Sequence, residues 1–310
     1  MEVRQGNGMP AQHVTTHMTG SLVFKAPAKL NLTLEVLRRR GDGLHAIRSL
    51  MVPVDLADEL IVERRPGPLA FSCDEPALSS GNLVEDALRA LDLPERGFSV
   101  RLNKRIPTGA GMGGGSSDAA SVLLAAQSGA FGPLPERDYL AIARSLGSDV
   151  PFFLVESGAL VEGTGERVTA VGALPAWHAA IVKPPVAVST SRAYATLDAT
   201  ERAGRPRNDS VTLRAVDAIQ RGAFDEVAHL LHNDFESPIA SQFPEVARTL
   251  AALRDAGAEH PLLTGSGSCV FALARDAQAL QLLVARLSLP PEYTVYVAAF
   301  ARAGAWRGEA

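Results

Sequence analysis

PTGAGMGGGSSDAAS (residues 107–121) sets five glycines and three serines around one methionine, then continues as VLLAAQ in a helical pattern. So much bare backbone ahead of a helix admits three readings. Gly109, Gly111 and Gly114 satisfy the dinucleotide fingerprint G-x-G-x-x-G. That motif needs a strand running into the loop and an acidic residue closing a second strand roughly 20 residues later. Here the helix leads through GAFGPLPERD into another helix. A Walker loop needs lysine and then serine or threonine after its last glycine, but Gly115 is followed by Ser116 and the stretch holds no lysine. The third reading is a phosphate cradle of different wiring. Residues without side chains let consecutive backbone N–H groups approach a polyanion at the positive end of a helix. Ser116 and Ser117 then offer hydroxyls to phosphate or metal, or cap the helix. The plainer alternative is a glycine-rich turn followed by an ordinary cap.

Upstream of the loop the pattern is strand-like from Ser21, with LNLTLEV alternating apolar and polar residues with the period of a half-buried strand, and RRRGDG closes it as a turn. DELIVER and GFSVRLNK read as further strands, separated by the helical spacing of NLVEDALRAL. Downstream, PERDYLAIARSL predicts a helix opening at Pro135. Glycine and proline in VGALPAW mark a boundary between 21–172 and 173–310. Beyond it come a strand at HAAIVKP, helices at 210–219, at AFDEVAHLL and at 245–256, and a strand pair pinched by glycine in PLLTGSGSCVFALA. A helix at AQALQLLVARL and a strand at YTVYVAAFA complete the chain. Strands and helices mix in both halves without a βαβ repeat, which predicts two α+β domains with a cleft between them.

The 310 residues are 46% hydrophobic and 21% charged, the balance of a soluble globular protein, and no apolar stretch reaches the length of a membrane span. A net charge of −4 without a long basic run argues against nucleic acid as a partner. Two cysteines, Cys73 and Cys269, imply no disulfide framework and point to a reducing cytoplasm. Residues 1–20 lack the apolar middle of a secretory signal and read as a loose extension. Lysine occurs only at Lys25, Lys29, Lys104 and Lys183, so each is worth inspecting in a chain that otherwise uses arginine. Taken alone, Asp149 reads as a turn or capping residue before Pro151, Lys29 as a solvated lysine, and TGSGS (264–268) as a tight connection. Cys269 reads as a small buried residue, since no pattern supports cysteine catalysis. His229 and His232 share a helix face, yet no second pair completes a zinc site.

The middle motif resembles that of the galactokinase, homoserine kinase, mevalonate kinase and phosphomevalonate kinase superfamily. PAKLNLTLEVLRRRGDGLH (27–45), LGSDVPFF (146–153) and LTGSGSCVFAL (263–273) narrow the resemblance to its 4-diphosphocytidyl-2-C-methyl-D-erythritol kinase family. The resemblance implies an N-terminal α+β nucleotide domain and a C-terminal ferredoxin-like domain, with the active site between them. It implies ATP-dependent phosphorylation of the 2-hydroxyl of the family's cytidyl substrate in the non-mevalonate isoprenoid pathway, with Asp149 as base and Lys29 as its electrostatic partner. ATP is expected along Pro107, Thr108, Gly109, Ala110, Gly111, Met112, Gly113, Gly114, Gly115, Ser116 and Ser117, its phosphates over Gly111 to Ser117, with Asn82 on the nucleotide side. Asn31, His45, Tyr194, Thr264 and Gly265 are the expected substrate contacts. Mg²⁺ is expected on the phosphates and not in a protein cage, so Asp118 should face away from the phosphates or toward that metal. The implied partners are small molecules, neither nucleic acid nor membrane, for a monomer or homodimer. One departure stands out: Leu44 occupies the place of a tyrosine that stacks on cytosine in the family, which leaves Tyr194 to supply the stack. A sister kinase acting on homoserine or mevalonate, or a nucleotide-binding protein without catalysis, remains the alternative.

Overall fold

A computed structural model describes residues 20–41, 43–93, 96–199 and 209–302; all but Gly20 of the expected N-terminal extension lies outside them. Strands β1 (Ser21–Arg39) and β2 (His45–Pro68) form a long antiparallel pair. They are followed by β3 (Ala70–Cys73), α1 (Leu83–Ala90), β4 (Arg96–Asn103), α2 (Gly114–Gln127), α3 (Tyr139–Leu146), α4 (Val150–Phe153), β5 (Gly158–Gly163) and β6 (Arg167–Gly172). The second half runs β7 (His178–Lys183), α5 (Thr190–Asp198), α6 (Val211–Gln220), α7 (Phe224–His229), β8 (His232–Asn233), α8 (Glu236–Gln242) and α9 (Pro244–Asp255). It ends with β9 (Leu262–Leu263), β10 (Val270–Ala274), α10 (Ala277–Arg286) and β11 (Thr294–Ala299). Among the described residues no helix is long and apolar enough to cross a membrane.

Two sheets result. The first has the order β3-β4-β2-β1-β8, with β5 also paired to β2 and β6 to β5; the second is β11-β7-β10-β9. Strand β8 comes from the second half of the chain yet pairs with β1, through Thr33–His232 and Leu34–Asn233, so the halves are laced together. One face of the first sheet, with Leu60, Val62, Phe98, Val100 and Leu102, packs on α1, α2 and α4. Helix α2 lies so deep that nine of its residues are buried, which its run of alanine and serine permits. The AAIV run of β7 is buried on both faces, hence its lack of alternation. Ala179 and Ile181 pack toward β1, β2 and α6, while Ala180 and Val182 pack toward α5, α8, α9 and α10.

Two sequence readings need correction. The second strand begins at His45, well before DELIVER, because Pro53 obscures the pattern. The pairing of β1 with β2 shifts register between Pro27 and Ala28, a bulge where proline is tolerated. Helix α3 opens after Asp138, whose carboxylate accepts the Ala141 N–H at 2.9 Å, and not at Pro135.

Candidate active site

The glycine stretch, the start of β2 and the 264–268 turn face one another across a cleft of about 1070 Å³. Gly109, Gly111 and Gly113 have φ of 61°, 75° and 72°, while Ala110 between them keeps a negative φ. Alternating the hand of successive residues turns their N–H groups into one concavity, a shape that binds anions. Gly113 is the N-cap of α2 and has no side chain to cap it, so the first-turn N–H groups are left to a ligand. At Gly111 a Cβ would lie 2.3 Å from the Thr264 carbonyl oxygen and 2.9 Å from that of Gly267. The two glycine turns therefore pack backbone on backbone, joined by the Cys269 N–H donating to the Ala110 carbonyl at 3.2 Å.

Below the cradle, the bulge after Pro27 aims Lys29 into the cleft, and its N–H donates to Met112 O at 3.0 Å. The period of the strand places Lys29, Asn31 and Thr33 on one face and Leu30 and Leu32 on the other, in the core. Lys29 Nζ donates to Asn31 Oδ1, and Asn31 Nδ2 donates to Ser49 Oγ at 2.8 Å. The Asn31 N–H donates to Thr264 Oγ1 at 3.1 Å, tying this strand to the second glycine turn. Burial pulls the pKa of the Lys29 ammonium down, opposed by the nearby charge of Asp149. Asp149 precedes α4 but makes no capping hydrogen bond with its side chain. Its carboxylate faces the cleft instead, near Lys29.

The far end of the cleft is built from side chains. Tyr194 stacks on His45 with centroids 5.0 Å apart and planes 16° apart, and meets Phe235 edge-on at 4.9 Å. His45 Nε2 lies 2.9 Å from Asp198 Oδ1. Burial, with Asp149 and Asp198 nearby, pushes the Tyr194 hydroxyl up to about 12. Leu44 lies beside this stack, 56% exposed.

The GHMP kinases N terminal domain matches residues 82–157 and the GHMP kinases C terminal domain matches 215–292. A 4-diphosphocytidyl-2-C-methyl-D-erythritol kinase of Geobacter sulfurreducens is 39% identical over 264 residues, covering 83% of this chain and 91% of the relative. The enzyme of the same name from Deinococcus radiodurans is 41% identical over 284 residues, covering 88% and 91%. The chain belongs to this kinase family. A crystal structure of 4-(cytidine 5'-diphospho)-2C-methyl-D-erythritol kinase superposes with a TM-score of 0.71 at 36% identity, covering 90% of this chain and all of that one. Homoserine kinase from Cytophaga hutchinsonii, at a TM-score of 0.68, 19% identity and coverage of 94% and 99%, shares the fold. The two-domain α+β architecture and the activity class, an ATP-dependent small-molecule kinase, follow from the family.

Within that frame the cleft gathers Lys29, Asn31, His45, 107–116, Asp149, Tyr194 and Gly265. Three residues expected at ligands sit elsewhere. Ser117 is wholly buried on the inner side of α2, its hydroxyl without a partner. Asn82 uses its side chain to cap α1, accepting from the Val84 and Glu85 N–H groups at 2.9 and 3.2 Å, while Leu78 and Leu83 line the cleft beside it. Thr264 is fully buried and acts through Asn31. Cys269 is buried too, which pushes its thiol up to about 12. His229 Nδ1 lies 2.7 Å from the Asp225 carbonyl and His232 Nε2 lies 2.9 Å from Asp234, so the two rings have separate partners.

Sequence reasoning missed a buried ionic cluster beneath the cradle. Lys104 Nζ donates to Asp58 and, at 2.6 Å, to Asp118, the fifth residue of α2. Asp118 thus turns to Lys104 and does not line the cleft. Asp58 also accepts the N–H groups of Arg105 and Ile106, the ramp into the glycine loop. Burial, only partly offset by Lys104, pushes the Asp118 carboxyl up to about 8. The ammonium of Lys104 is lowered by burial but raised on balance by its two carboxylates. Asn233 was missed as well; its Nδ2 donates to Leu263 and Gly265 carbonyls at 2.7 and 2.8 Å and holds the second glycine turn. The scarcity of lysine was the one signal that pointed to Lys104, and nothing local marked Asn233.

Proposed function

We propose that the chain transfers the γ-phosphoryl group of ATP to the 2-hydroxyl of 4-diphosphocytidyl-2-C-methyl-D-erythritol, with residues 21–172 holding the nucleotide and 173–310 completing the acceptor side. The observation that carries the reading is Asp149. Its carboxylate is free of any capping role and shares one cleft with Lys29 and the glycine cradle.

The chemistry divides among these groups. Asp149 accepts the hydroxyl proton as the acceptor oxygen bonds to the γ-phosphorus; the bond from that phosphorus to the bridging oxygen breaks, and ADP leaves with the electron pair. Lys29, whose ammonium lies near Asp149, stabilises the negative charge gathering on the acceptor oxygen. Asn31 fixes the Lys29 ammonium through its Oδ1. The N–H groups of 111–116 hold the phosphates, and half-buried Ser116 offers its hydroxyl as a hard oxygen donor beside them. That oxygen fits Mg²⁺ carried on ATP, where the ion would neutralise phosphate charge. Tyr194 and His45 form the wall for the cytosine ring. Asp149→Asn should lower kcat by roughly 10²–10⁴-fold, with the affinity for a nonhydrolysable ATP analogue kept. ADP release is measured with the cytidyl acceptor, homoserine, mevalonate and no acceptor. Undiminished transfer by the variant, or turnover with a different alcohol alone, would sink the respective half of the proposal.

A further inference from the structure

The carboxylate of Asp198 has no part in the chemistry above, yet it lies at the base end of the cleft. It sits one turn after Tyr194 on α5, at i and i+4, so one helix face presents both the stacking ring and the carboxylate to His45. His45 Nε2 lies 2.9 Å from Asp198 Oδ1, and the His45 face is covered by Tyr194. With a side chain only 7% exposed, the imidazole has little room to turn.

An ionised carboxylate can only accept, so the proton shared by this pair belongs to Nε2. In an uncharged imidazole that leaves Nδ1 as an acceptor, fixed in kind by the partner of the other nitrogen. An acceptor on a base pocket wall welcomes an amino group and leaves a keto oxygen facing another lone pair, with both desolvated.

We propose that Asp198 is a specificity-determining positioning residue: by accepting the Nε2 proton of His45 it fixes the tautomer that selects a 4-amino pyrimidine over its 4-keto counterpart. The inference rests on the cytidyl acceptor proposed above and adds the residue that enforces the choice of base.

The test uses the full chain saturated with a nonhydrolysable ATP analogue, so that the nucleotide site is occupied, and titrates CDP and UDP separately by calorimetry at about pH 8, above the ordinary imidazole range. The wild type should favour CDP by at least about tenfold, the worth of one unpaired polar group in a desolvated site. Asp198→Asn offers His45 either an N–H or an oxygen, so the preference should fall to within about twofold. Asp198→Glu keeps an acceptor and should restore most of it. Affinity for the ATP analogue reports that each variant is folded. An unchanged CDP preference in Asp198→Asn overturns this role while leaving the acceptor reading intact. A wild type that binds neither nucleotide, or both equally, overturns the role of Asp198, and binding of neither removes the cytidyl acceptor with it.

Discussion

At the proposed phosphate end of the cleft, the surface is built from backbone: Gly109, Gly111 and Gly113 at positive φ, and the open first turn of α2. At the proposed base end it is built from side chains: His45 from β2, Tyr194 and Asp198 from α5, and Phe235 beside α8. The difference follows from the ligands. A triphosphate is a dense, flexible polyanion whose oxygens are met equally well by any N–H, so a chain needs only small residues and a helix start. A base is rigid and flat, and telling one from another takes rings and tautomers placed from separate elements. The backbone end gains its rigidity from underneath, where Lys104 ties Asp58 to Asp118, whereas the base end is held by the stacking of its own rings.

If the phosphate end depends on backbone shape, its most sensitive point is Gly111. A methyl there meets the Thr264 carbonyl at 2.3 Å and demands a φ of 75° from an L residue. Gly111→Ala should cost about 3 kcal/mol or more of stability and lower kcat/KM for ATP by at least about 100-fold. Gly129, at φ 81° with open space around it, isolates the backbone term; Gly129→Ala should cost about 1–2 kcal/mol and leave kinetics unchanged. Equal kinetic loss in both variants would mean that the cradle is no more constrained than an ordinary turn.

The buried cluster under the cradle gives a test of intermediate size. The Asp118 carboxyl titrates near 8 in the folded chain against an ordinary value of 3.8. The folded state therefore holds a proton that the unfolded state has lost, and this contribution is fully present below 3.8 and disappears as pH rises through about 8. Urea unfolding should show stability falling between about pH 6 and 8, at no more than about 1.4 kcal/mol per pH unit from this group. Asp118→Asn keeps an acceptor for Lys104 and should flatten that slope. A slope identical in both proteins would place the titration elsewhere.

The same contrast decides what could be read from the sequence. The cradle occupies one contiguous run, so its glycines, its helix and its ligand class were all legible in 107–121. Lys29 and Asp149 were legible only through resemblance, since a lone lysine and an aspartate before Val-Pro have commoner roles. The base end is scattered over residues 44–45, 194–198 and 235, and no periodicity announces that these meet. Ser117 and Asn82 misled for an opposite reason. Each stands in a convincing motif, but one hydroxyl falls on the buried side of α2 and one amide is taken up by a helix cap. Sequence proximity to a site fixes neither the direction of a side chain nor its prior hydrogen bonds.

Leu44 offers the smallest effect and the sharpest comparison. It lines the base end and is 56% exposed, so a larger ring can be accommodated without displacing the core. One face of Tyr194 already rests on His45 and its edge on Phe235, which leaves a base with leucine for its second wall. Leucine supplies contact area but no π face. Leu44→Tyr should lower KM for the cytidyl acceptor by about fivefold, near 1 kcal/mol and at the low end of what stacking on a base contributes. Because the phosphate end does not depend on side chains at position 44, KM for ATP should stay within about twofold. A gain confined to the acceptor would show that the two ends bind independently. A parallel shift in both would mean that closing a ring over the base also reshapes the cradle, through the contact of Asn31 with Thr264 that joins the strand of Lys29 to the second glycine turn.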